Sequence, residues 1–240
     1  TKPKVVPHKH KETQYGATAQ YTTAPNTSPP LDNGGIKWVQ GIMGALLYYA
    51  WAIKNKLLVT LSELGSQQAT ATEATCKAIA QLLDYVATYP NDSIIYRASG
   101  MVLAARFNVA YLNISNACSH AGAHIMLSED SPVPSINSLV LTIANIIKFI
   151  MSSAAKAKLA GLFITAKEMV PLQQTLIEMG WQQPPSPIQM DNSTAVGVTN
   201  NTIVPQCIKS MDMWFHWLRC RESQQQFHYY WAQGALNLAN

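Results

Sequence analysis

Charge is what this chain has least of. Only 12% of its 240 residues are Asp, Glu, Lys or Arg, roughly half the usual globular share, while 48% are hydrophobic. That balance excludes an intrinsically disordered chain and leaves few charges to solvate an isolated surface. The 17 basic and 13 acidic residues leave a net charge of +4, too thin for the dense basic stripe of a dedicated nucleic-acid binder. Cysteine is scarce too. Cys76, Cys118, Cys207 and Cys220 are far apart with no Cys-x-x-Cys pair, which excludes a zinc ribbon and a disulfide framework and suits reduced thiols of an intracellular protein. No long hydrophobic run exists either: the best, Leu139 to Met151, is broken by Thr142, Asn145 and Lys148, short of the roughly 20 apolar residues a bilayer demands. The N-terminus is polar and proline-rich, unlike a secretory signal.

What is present changes character along the chain. Residues 1–35 read as a linker, with Pro3, Pro7, Pro25, Pro29 and Pro30 among many Thr and Ser, and with a basic, solvated arm of Lys2, Lys4, His8, Lys9, His10 and Lys11. Residues 36–90 read as helical. Val39, Ile42, Met43, Leu46 and Ala50 share a helix face, a second short element spans Leu57 to Leu64, and a third starts at a Thr70-Ala71-Thr72-Glu73 capping box. That third helix is expected to bury Cys76, Ile79, Leu83 and Val86 before Pro90 ends it. From residue 91 the period shortens to that of strands: Ile94 to Ala98, Met101 to Asn108, His120 to Met126 and Ile136 to Leu141. A long helix is predicted from Ser153, kinked or restarted at Pro171 and stopped by Gly180. Strand Ile188 to Met190, short helix Ser193 to Val198, helix Met211 to Arg221 and strand Phe227 to Trp231 complete an α/β reading with a mixed sheet and helices on its faces.

Several strings resemble the ribonuclease H domain of copia-type retrotransposon polyproteins. Gln189-Met190-Asp191-Asn192-Ser193-Thr194-Ala195 is similar to that family's Asp-Asn-x-x-Ala step. Ser153-Ala154-Ala155-Lys156-Ala157-Lys158 resembles its Ser-Ser-Thr-Glu-Ala-Glu helix start. Lys209-Ser210-Met211-Asp212-Met213-Trp214-Phe215-His216 is similar to its Lys-His-Ile-Asp-Ile-Arg-Tyr-His helix, and Tyr230-Trp231-Ala232 with Asn237-Leu238-Ala239-Asn240 to its closing segment. Gly44-Ala45-Leu46-Leu47-Tyr48 resembles a string in the helical tail of the preceding reverse transcriptase. The resemblance spans about residues 35–240. It implies a five-stranded ribonuclease H-like domain over 91–240, its last helix cut short, after a reverse-transcriptase-tail-like segment over 36–90, all part of a longer polypeptide.

The family cuts the RNA strand of RNA–DNA hybrids with two magnesium ions held by four carboxylates. Carried over, the first-strand Asp falls on Asn108, the helix Glu on Lys156, the fourth-strand Asp on Asp191 and the C-terminal Asp on Asn240. One carboxylate of four remains. An amide brings no charge and an ammonium no lone pair, so the expectation is a pseudoenzyme with no metal and no cofactor, although the ancestral site would bind magnesium. Lys156 is expected to pair with Asp191 in place of the metals.

Trp214, Phe215, Trp217, Arg219, Arg221, Tyr229, Tyr230 and Trp231 form an aromatic–arginine cluster in sequence. Such residues stack on bases or form a protein interface or core, and Trp214, standing where the family has Arg, trades a charge for apolar area and favours the interface or core reading. His120, His124 and His216 read as packing residues rather than ligands. Three functions follow: a scaffold or subunit covered by other proteins, a retroelement ribonuclease, and a non-cleaving nucleic-acid-binding protein.

Overall fold

A computed structural model of the chain describes residues 2–8, 26–114, 118–200, 212–233 and 237. Contacts divide it into two compact units. One comprises Thr1–Ile94 with Asn113–Ala117 and Ala144–Ile146, the other Ile95–Leu112, Cys118–Ile143 and Ile147–Asn240.

The first unit is helical. Asp32 starts α1 (Asn33–Ala52) by accepting a hydrogen bond from the Gly35 amide, and Val39, Met43, Leu46 and Ala50 form its buried stripe. A 3-10 turn leads into α2 (Leu58–Gln67), and α3 spans Glu73–Thr88. The capping box of α3 is Thr72 with Thr75, two residues later than the sequence reading placed it. Its buried stripe is Thr75, Ile79, Leu82 and Tyr85, while Leu83 is exposed. His8 of the basic arm is not simply solvated, since Nδ1 lies 2.9 Å from Oγ1 of Thr60; His10 lies outside the described residues. Sequence reasoning missed Lys54, which is buried. Its ammonium donates to the Tyr89 carbonyl, sits 2.6 Å from Oδ2 of Asp92 and faces the Tyr85 and Tyr89 rings.

The second unit is built on a five-stranded sheet of order β3-β2-β1-β4-β5, with β1 at Val102–Ile114, β2 at Cys118–Ser128, β3 at Leu139–Ile147, β4 at Ser186–Met190 and β5 at Phe227–Trp231. β1 and β2 are neighbours only three residues apart in sequence, too few for the crossover a parallel pair needs, so they are antiparallel. β4 runs parallel to both β1 and β5, with Arg106 opposite Gln189 and Met190 opposite Trp231. The sheet is therefore mixed. Helices α4 (Ala154–Glu178), α5 (Ser193–Thr199) and α6 (Asp212–Ser223) accompany it, in the order the ribonuclease H resemblance implies.

Two expectations are corrected here. Ile94 to Ala98 is not a strand: Tyr96 hydroxyl donates to the Leu139 carbonyl and the Arg97 amide to Oδ1 of Asn137, so side chains replace a backbone ladder. Nor does the long helix restart at Pro171: it carries the proline internally to Glu178, with Met179 as its C-cap just before Gly180 in the left-handed region. Among the described residues, no helix is long and apolar enough to cross a membrane.

α4 lies close to the sheet because its facing residues are small. Ala157, Ala160 and Gly161 are buried, and a Cβ on Gly161 would collide with Cγ2 of Val109 and press on the Phe107 ring. Gly161→Ala should therefore destabilise the protein by about 1–3 kcal/mol despite its better helix propensity. Gly44→Ala, at a helical position with open space around it, should stabilise by about 0.5–1 kcal/mol. Urea melts of both variants test the pair; a neutral Gly161→Ala would mean that the helix is free to move off the sheet.

Candidate functional site

Asp191 follows the last residue of β4, and Asn192 caps α5 by accepting from the Ala195 amide at 2.9 Å. On neighbouring β1, Asn108 presents its side-chain oxygen towards the same place. Lys158, one turn into α4, reaches both: its ammonium donates to Oδ1 of Asn108, lies 2.8 Å from Oδ2 of Asp191 and 2.7 Å from Oδ1. The Oδ1 contact is an ion-pair approach outside hydrogen-bonding angles, so this buried oxygen keeps an unused acceptor. The Lys158 and Asp191 side chains are 13% and 20% exposed, which makes the pair largely desolvated.

Neighbouring groups fix the backbone beneath these side chains. The Trp231 indole donates to the Asp191 carbonyl at 3.1 Å, and the Asn237 amide donates to the Phe107 carbonyl at 2.8 Å. Sequence reasoning had neither contact, because each joins segments far apart in the chain.

The expected partner of Asp191 is thus corrected from Lys156 to Lys158. Two residues on an α-helix are about 200° apart, so only one of two lysines spaced this way can point at the end of β4. Lys156 is half-buried and makes no ion pair among those described. The Lys-Ala-Lys string offered both; the packing of Ala157, Ala160 and Gly161 chose the phase. Asn240 lies outside the described residues.

Among the described residues, neither Glu168 nor Glu129 supplements the site. Glu168 is exposed further along α4, and the side chain of Asp212 lies outside the described ones. Glu129 spends its carboxylate on its own turn, accepting from the hydroxyl and amide of Ser135, and those hydrogen bonds hold its carboxyl down at about 2. Among the described residues, no group of three or more His, Cys, Asp or Glu side chains could hold a metal ion. Magnesium wants several hard, anionic oxygens; one carboxylate and one amide facing an ammonium do not fit a two-metal centre.

The aromatic cluster divides. Phe215 and Tyr229 are buried in the unit's own core, a correction to their candidacy as interface or stacking residues. The Tyr229 hydroxyl donates to the Leu218 carbonyl, and burial pushes its ionisation far upward. Trp214 and Trp217 are half-buried around Phe163, Trp214 stacked at 5.2 Å and Trp217 edge-on at 5.3 Å. Arg219 lies 5.1 Å from the Phe215 ring and Arg221 5.0 Å from that of Trp217. Tyr230 is half-buried, its hydroxyl pushed upward by burial. Trp231, 54% exposed, is the member that faces solvent beside Asp191.

No protein-family model and no curated protein matches this chain. Among solved structures it is similar to LC11 ribonuclease H1, isolated from compost by a metagenomic approach, at 8% identity and a TM-score of 0.42, over 56% of this chain and 86% of that one. The N-terminal ribonuclease H domain of a Mycobacterium tuberculosis protein is similar at 12% identity and a TM-score of 0.39, over 57% and 86%. The protease–reverse transcriptase of prototype foamy virus is similar at 10% identity and a TM-score of 0.32, over 60% of this chain and 20% of that one. At such scores these likenesses bear on no chemistry, and strand order and element sequence describe the fold.

Removing one partner of a mostly buried ion pair leaves the other charge stranded. Lys158→Met should cost about 2–4 kcal/mol, whereas Lys156→Met should stay within about 0.5 kcal/mol. Chemical denaturation of the two variants measures the difference, and equal losses would mean that Asp191 is not neutralised by Lys158.

Proposed function

We propose that this chain is a catalytically inactive, ribonuclease H-like protein derived from a copia-type retrotransposon polyprotein, serving as a scaffold or subunit of a larger assembly. The observation that carries the reading is the Lys158 ammonium between Asn108 and Asp191, at the meeting of β1, β4 and the long helix. In the ribonuclease H mechanism that meeting point holds magnesium, which supplies charge stabilisation and an activated water. With an ammonium there, this chain's residues neither polarise a phosphodiester nor generate hydroxide; they neutralise one another.

The scaffold role draws support from the surface. Tyr48 is 79% exposed on α1 and Met213 82% exposed on α6, and Trp51, Phe149 and Ile150 are also largely exposed. With charge this sparse, such residues suit contact with other protein subunits better than open solvent. A second reading, a nucleic-acid-binding pseudoenzyme, is favoured by Trp231 alone, an exposed indole beside a former catalytic position that can stack on a base.

A labelled RNA–DNA hybrid incubated with the protein and magnesium or manganese should stay intact. Metal-dependent cleavage that disappears in Asp191→Asn would overturn the inactive reading in favour of a ribonuclease. Hybrid binding that weakens steeply with salt and with Trp231→Ala would replace the scaffold by the nucleic-acid-binding protein.

A further inference from the structure

The Lys158 pocket supports a statement about ligands that deepens the reading just given. Three side-chain oxygens, Oδ1 of Asn108 on β1 and both carboxylate oxygens of Asp191 just after β4, surround a single nitrogen atom. Oxygens from separate elements directed at one point, largely out of solvent, are what a hard cation needs. Here a cation is already in place, tethered to α4 through four methylenes. We infer that Asn108, Lys158 and Asp191 form a self-occupied cation site, in which the lysine ammonium is the resident ion and keeps divalent ions out.

Two features separate this from an ordinary ion pair. First, the backbone beneath the oxygens is held by groups other than the lysine. Asn192 caps α5 directly after Asp191, the Trp231 indole holds the Asp191 carbonyl, and Asn237 holds the carbonyl preceding Asn108. Second, one buried carboxylate oxygen meets the ammonium at 2.7 Å outside hydrogen-bonding angles, the directionless contact that an oxygen makes to a cation. Lys158 balances Asp191 charge for charge. Replacing it by Glu and Asn108 by Asp sets three carboxylates around the same point, a charge and donor set matched to a divalent ion. Lys156→Glu, on the other side of the helix, does not.

Manganese is the probe, read by paramagnetic broadening of backbone amides and by thermal melting, neither of which needs activity. In the unaltered chain, manganese should leave the Asn108 and Asp191 amides sharp and the melting temperature equal to that in chelator. The Asn108→Asp, Lys158→Glu double variant should bind manganese saturably, broaden those two amides and melt higher with manganese than in chelator. Broadening of both amides in the unaltered chain, or a folded double variant that ignores manganese, overturns the inference. Should the double variant not fold in chelator, Lys158→Ala decides. Its melting temperature should fall and be partly restored by methylammonium chloride but not by tetramethylammonium chloride, which is larger and has no N–H; equal effects of the two salts overturn the inference. The two proposals fail separately. A chain that cleaves hybrid while excluding manganese here sinks the inactive reading alone, and one that binds manganese here without cleaving sinks only this one.

Discussion

An anion at the end of a central strand must be neutralised by something, and in this protein the something is a lysine from the long helix. Asp191 is mostly withdrawn from water at the junction of β4 and α5, with β1 alongside. A bare carboxylate there would be costly, whereas a tethered ammonium answers it without any ligand from solution. The position of α4 follows from the same need. Its small residues let it settle on Phe107 and Val109, and that depth brings Lys158 within reach of both strands.

The aromatic residues show a second economy. A chain with few charges has many apolar side chains to place, and the second unit places several on α6 and β5 against its own core. Phe163 stacks with Trp214 and meets Trp217 edge-on, while the Arg219 and Arg221 guanidiniums lie over the Phe215 and Trp217 rings. On these two elements Met213 of α6 and Trp231 of β5 remain exposed.

Sequence by itself determined the kinds of elements and most of their order, because hydrophobic period and capping chemistry are local. Asp32, Ser153 and Asn192 each start a helix by accepting from a backbone amide a few residues on, and the strand at Phe227–Trp231 is legible from its composition. The resemblance read from the sequence also placed Asn108 near Asp191, and the Lys158 ammonium touches both, whereas Asn240 lies outside the described residues. What only the tertiary structure decided is which residues face one another. Helical phase, set by the packing of Ala157, Ala160 and Gly161, chose Lys158 over Lys156 for Asp191, and the packing of α3 turned Leu82 inward and Leu83 outward. Lys54 against Asp92, the Trp231 indole on Asp191 and Asn237 on Phe107 join residues distant in the chain, and no local pattern records a contact between them. A periodicity names a face of a helix to within a residue or so, whereas an ion pair is made or lost within a few ångströms; that difference in tolerance is why the pocket's chemistry was readable in the sequence and its lysine was not.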